Sequence, residues 1–176
     1  MHRLALAIVA MTAAALPARA TIGIRAGLEV PVVTHVSGSG TSGSSSYNFS
    51  DSLQPALNVL ISAYPFSIIG FDAEIREGFA ATGGLKRTGT KIGPGVTINP
   101  PLLPIYVRAS LPIHLEPDDM NLGLRLAGGL SFNLVLLSLY LEGAVDLHIA
   151  GKQSGLSVDP FSSQQVSLGA GAWFKF

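Results

Sequence analysis

In eight stretches of this chain apolar side chains recur at every second position, and in none of them does the apolar phase hold a charge. The stretches are 22–33, 56–63, 69–76, 92–99, 105–116, 121–131, 139–149 and 165–176. Every charge within them falls in the other phase: Arg25, Glu29, Asp72, Glu74, Arg76, Arg108, Glu116, Arg125, Glu142, Asp146 and Lys175. Successive side chains of a strand point to opposite faces, so each stretch is a strand with one apolar face and one polar or glycine face. A spanning helix is excluded on length. The longest strongly apolar run, Leu126 to Leu141, is sixteen residues and is interrupted by Gly128 and Gly129, whereas a helix needs about twenty to cross a bilayer.

Alternation alone does not say which face looks outward, and here composition decides. Charged residues are 12% of the chain and hydrophobic ones 48%, with mean hydropathy +0.44, against about 25% charge in an ordinary soluble domain. A soluble eight-stranded carrier would show its polar phase to water, yet that phase is thinly charged and rich in Gly, Ala and Ser. An eight-stranded barrel has an interior just wide enough for side chains, and small residues mixed with a few long charged ones suit it. In lipid an unsatisfied backbone group costs several kcal/mol, so a membrane sheet must close. The expected fold is therefore all-β, a closed eight-stranded antiparallel up-and-down transmembrane β-barrel over residues 21–176. Long or polar links (34–54, 78–90, 117–120 and 150–164) alternate with compact apolar ones (64–68, 100–104 and 132–138). Outer-membrane barrels have short periplasmic turns and longer external loops, which puts both termini on the periplasmic side. Pro31, Pro94 and Pro112 lie inside the stretches. Proline cannot donate to a ladder, so bulges or strand ends are expected there.

Residues 1–20 read as a secretory signal. His2 and Arg3 precede the apolar run Leu4 to Leu16, and Ala18 and Ala20 match the small-residue rule for cleavage after Ala20. At the other terminus, Leu168, Ala170, Ala172, Phe174 and the final Phe176 occupy alternate positions. This resembles the closing strand of small eight-stranded bacterial outer-membrane β-barrel proteins. The resemblance implies a place in the outer membrane of a Gram-negative cell, contact with its lipids and lipopolysaccharide, and delivery by the barrel-assembly machinery. Aromatic girdles are expected at both interfaces of such a barrel. Tyr64, Phe66, Phe71, Tyr106, Phe132, Tyr140, Trp173, Phe174 and Phe176 would supply the periplasmic one, and Tyr47, Phe49, Phe79 and Phe161 the external one.

The function classes narrow accordingly. Equal numbers of basic and acidic residues argue against a nucleic-acid partner, which usually meets a basic stripe. The chain has no cysteine, which removes disulfides, thiolate nucleophiles and cysteine–zinc sites, and no motif calls for a cofactor. Buried charges persist when paired. The inward set of Arg25, Glu29, Asp72, Glu74, Arg76, Arg108, Arg125, Glu142, Asp146 and Lys175 is thus expected to form a salt-bridged plug. The reading is a barrel with a plugged polar lumen and a structural or surface-interaction role without catalysis. Two alternatives stand beside it. One is a narrow pore. The other follows from the resemblance, since some small barrels of that class are outer-leaflet lipid A acyltransferases or deacylases: His35, Asp51 and Ser52 would then be the candidate residues, because a histidine can activate a hydroxyl. His114 and His148 fall in the inward phase as lumen histidines. Lys86, Arg87 and Lys91 could meet lipid phosphates, and the Ser/Gly tract Ser37 to Ser46 has the composition of a flexible linker.

Overall fold

The computed structural model describes residues 21–37, 44–48, 54–80, 86–115, 120–134, 137–153, 156–157, 160–161 and 163–176. The chain makes β1 (Thr21–Ser37), β2 (Ser44–Asn48), β3 (Ala56–Tyr64), β4 (Ile69–Ala80), β5 (Lys86–Ile98), β6 (Ile105–Ser110), β7 (Ile113–Leu115), β8 (Met120–Asn133), β9 (Ser138–Gln153), β10 (Leu156–Ser157) and β11 (Ser163–Lys175). β1 pairs with β3, and pairing then runs through β4, β5, the β6–β7 pair, β8, β9 and β11 back to β1, always antiparallel. β6 and β7 occupy one place in the ring, so the barrel is closed and eight-stranded. Closure joins the first strand to the last. Ile22 and Phe176 exchange both backbone hydrogen bonds, at 3.2 and 2.8 Å, and Val30, Leu28, Ala26 and Ile24 lie opposite Leu168, Ala170, Ala172 and Phe174.

Side-chain burial separates the two phases. β4 alternates exposed and buried from Ile69 to Arg76, with Phe71 and Ile75 outward and Asp72, Glu74 and Arg76 inward. The same holds in β6, where Ile105 and Val107 are exposed beside buried Tyr106 and Arg108. This is an inverted globule, with large apolar side chains on the outer wall and charges at the centre. Leu126, halfway along β8, is one such outward residue. Leu126→Arg is expected to cost about 2–4 kcal/mol, the penalty for a cation near the midplane on a lipid face. Ala144→Ser, inward and opposite Ser167, should cost well under about 1 kcal/mol. Unfolding of the reconstituted protein by urea checks both, and equal tolerance would reverse the assignment of the faces.

The prolines behave in three different ways. The register of β1 against β11 shifts between Pro31 and Val33, a bulge. Pro112 falls in the break between β6 and β7. Pro94, however, sits in an unbroken β5 with no shift of register against β4, contrary to the expected bulge or strand end. The reason is on its other side. It lies opposite Leu111 at the β6–β7 break, and there Leu111 N–H donates to the Pro94 carbonyl at 2.9 Å. One strand down, Gly123 N–H likewise donates to the Pro112 carbonyl at 2.8 Å. Each proline needs only to accept, so the wall keeps its register at the cost of one missing donor per pair.

The expected long links are shorter than their composition suggested. β4 and β5 continue to Ala80 and from Lys86, and β9 runs on to Gln153. Part of the Ser/Gly tract is strand as well, with Ser44, Ser45 and Ser46 opposite Ser37, Val36 and His35. Backbone pairing outlasts the hydrophobic alternation, because beyond the lipid a strand carries polar side chains on both faces freely. Residues 1–20, with the expected signal, lie outside the described residues, as do Phe49, Asp51, Ser52 and Glu116.

Candidate functional site in the lumen

Eight of the inward charges meet at the barrel centre: Arg25, Arg76, Arg108 and Arg125 with Glu29, Glu74, Glu142 and Asp146. All eight are buried. Arg125, on β8, is the hub. It donates to Glu29 at 2.6 and 3.0 Å, to Glu142 at 3.1 Å and to Asp146 at 3.1 and 3.3 Å, and its Nε lies 3.9 Å from Glu74. Arg76 donates to Glu29 at 2.9 Å and Asp146 at 2.8 Å. Arg108 holds Glu74 through two hydrogen bonds, at 2.9 and 3.3 Å, the fork geometry that suits guanidinium and carboxylate. Asn58 and Ser110 donate further bonds to Glu74, each at 3.1 Å. Four guanidinium groups thus face four carboxylates.

The pairs cross the bore. β4 and β9 are four places apart in the ring of eight, so the Arg76–Asp146 bond joins opposite walls. Arg125 to Glu29 spans three places, and Arg25 to Glu142 spans two.

Two residues of the expected set stand outside this network. Asp72 accepts from the Thr97 hydroxyl and pairs with no arginine among the described residues. Lys175 is the last inward-phase residue and has left the lumen. Its side chain is exposed, with Nζ 3.9 Å from the Trp173 ring centroid.

An aromatic layer seals the end of the barrel that carries the termini. Trp173, Tyr106, Tyr64 and Tyr140 are all buried. Trp173 is 6.0 Å from Tyr64 and 6.1 Å from Tyr106 between ring centroids. The Arg25 guanidinium carbon lies 4.2, 4.3 and 4.9 Å from the Tyr106, Trp173 and Tyr140 centroids, within cation–π range. Arg25 Nη1 and the Tyr106 hydroxyl both donate to Glu142 Oε2, at 3.1 and 2.9 Å, so layer and network are continuous. These four aromatics were expected in the interfacial girdle and are instead inward. Their phase was the available signal: Tyr106 is in step with Arg108, Tyr140 with Glu142, and Trp173 with Lys175. Phe66, Phe71, Phe132, Phe174 and Phe176 are exposed and keep the outward place. The inward glycines make room for the rings. A Cβ at Gly70 would lie 2.6 Å from Tyr64, at Gly129 2.6 Å from Tyr106, and at Gly27 2.2 Å from the Tyr140 hydroxyl.

At the opposite end the lumen holds Lys91, His114 and His148, which line two polar cavities. Lys91, expected on the surface among lipid phosphates, belongs to β5 and lines the lumen instead. Arg87 is exposed and pairs with Glu77. His35 lies on β1 opposite Gln164 and Ser46. Asp51 and Ser52, its expected catalytic companions, fall outside the described residues. Among the described residues no group of three or more His, Cys, Asp or Glu side chains is placed to hold a metal.

No family model and no curated protein matches the sequence. Among solved structures, Neisserial surface protein A matches with 14% identity over 88% of this chain and 97% of that one, at a TM-score of 0.56. The outer membrane protein AlkL, solved in lipid bilayers, matches with 12% identity over 90% of each chain, at a TM-score of 0.51. At these identities the likeness establishes the fold, that of an eight-stranded outer-membrane barrel.

Proposed function

We propose that this protein is a sealed barrel of the bacterial outer membrane, structural or interactive at the surface, without catalysis in the lumen. Its termini face the periplasm, where the barrel-assembly machinery receives the chain after removal of residues 1–20. Lipids and lipopolysaccharide surround the outward apolar wall. One observation carries the reading: a charge network tied across opposite walls, through Arg76 and Asp146, and continuous with a buried aromatic layer. A narrow barrel has no room for a water column beside such contents. An ion entering would have to displace groups already paired, and breaking a buried pair costs about 3–5 kcal/mol. The lumen therefore acts as a strut, and interaction falls to the end opposite the termini.

The test is reconstitution. The refolded protein in planar bilayers is expected to give no discrete current steps, and vesicles containing it should leave the mass of lipid A unchanged. Stepwise conductance would favour the pore. A loss or gain of acyl-chain mass would favour the enzyme.

A further inference from the structure

Beyond the network, toward the end opposite the termini, lie two half-open cavities of about 190 and 220 Å³ that share Lys91, His114 and Gln165. Their floor is Glu29, Arg76 and Asp146, which are already bonded to one another. The four guanidinium groups and four carboxylates below are matched among themselves, and Lys91 is the lysine that lines both cavities beyond them. On the β8–β9 side of the larger cavity, Asn121 Oδ1 and His148 Nε2 are buried and have no protein hydrogen-bond partner among the described residues. Unpartnered buried polar atoms are costly and call for an explanation.

We propose that this vestibule is a blind binding pocket for a small anionic sugar. Lys91 takes the carboxylate or phosphate, and Asn121 and His148 take hydroxyls. A lone inorganic anion would satisfy Lys91 only. The larger cavity has room for about seven waters at about 30 Å³ each, more than such an anion needs. Hydroxyls donate and accept at one atom, which is what a wall of amide and imidazole groups can match. An apolar ligand would leave these groups unpaired. The pocket rests on the sealed-lumen reading in one respect: the plug is its floor.

The experiment is titration of the full mature protein in lipid nanodiscs with glucuronate, glucose 6-phosphate, glucose and inorganic phosphate, read by calorimetry and amide NMR shifts. The two anionic sugars are expected to bind at least tenfold tighter than glucose or phosphate. Their shifts should fall on Lys91, Asn121 and His148 and spare the Trp173 indole. Lys91→Gln should remove the preference for the anionic sugars over glucose, and Lys91→Arg should restore it. Discs containing lipopolysaccharide separate the sources of the ligand. Loss of glucuronate binding there means that the lipid's own anionic sugar fills the pocket, and unchanged binding means a soluble ligand. Equal affinity for glucose and glucuronate, no binding of either, or shifts centred on Trp173 would each overturn the proposal. The wild-type shift map stands even if a variant fails to fold. Current steps with intact sugar shifts would unseat the seal and leave the pocket; silent bilayers with no sugar binding would do the reverse.

Discussion

Arg125→Leu is expected to destabilise the barrel by about 3–5 kcal/mol, the cost of removing one partner from a buried ion pair. The leucine fits the lumen, so the loss is electrostatic. Glu29, Glu142 and Asp146 each lose hydrogen bonds from Arg125 and are left enclosed with three guanidinium groups for four carboxylates. Arg125→Lys should recover only part of the loss. An ammonium is a point charge without the planar fork, and Arg125 reaches carboxylates on three sides. Urea unfolding in micelles, followed by the gel mobility of folded and unfolded protein, reads both variants. A cost below about 1 kcal/mol for Arg125→Leu would mean that the centre is hydrated and that these pairs are not what fills it.

Trp173→Ala should cost about 3–5 kcal/mol, the usual range for removing a large buried aromatic. Trp173 is fully buried and touches both the tyrosine layer and Arg25. Its loss opens a cavity and also strips one face from a buried guanidinium, so the upper part of the range is expected. Trp173→Phe should retain most of the stability, because a ring still lies against Tyr64 and Tyr106. Since the chain has a single Trp, folding of these variants must be followed by circular dichroism or mobility and not by indole fluorescence. If the alanine variant were as stable as wild type, the layer at the terminal end would be loosely packed and the seal would lie elsewhere.

How much of this was readable beforehand follows from what period two can and cannot encode. It places a residue on one face of one strand. That suffices for the ring of eight, for the outward leucines and for the inward set from Arg25 to Asp146. It does not give height along the barrel or the partner across the bore. Lys175 has the right phase, but it lies past the last layer and escapes to the rim. Arg25 and Glu142 are 117 residues apart, and only register and stagger bring them together. The tyrosines were misplaced because amphipathic aromatics serve either an interface or a lumen, and composition favours neither. Pro94 misled because the rule for proline in a sheet looks at one strand. Its missing donor falls at the break between β6 and β7, where its carbonyl still accepts from Leu111. Lys91 falls between the link 78–90 and the stretch 92–99, because Gly89 and Gly93 on either side blur where β5 begins.

The bond between Arg76 and Asp146 also bears on how the molecule is put together. A half-built sheet ending at β8 would hold Arg25, Arg76, Lys91, Arg108 and Arg125 against Glu29, Asp72 and Glu74, two positive charges in excess and no opposite wall to hold them. Only the arrival of β9, bearing Glu142 and Asp146, neutralises that surface and draws the curling sheet shut. The same tie rods that keep the finished cylinder round therefore make every shorter precursor electrostatically incomplete.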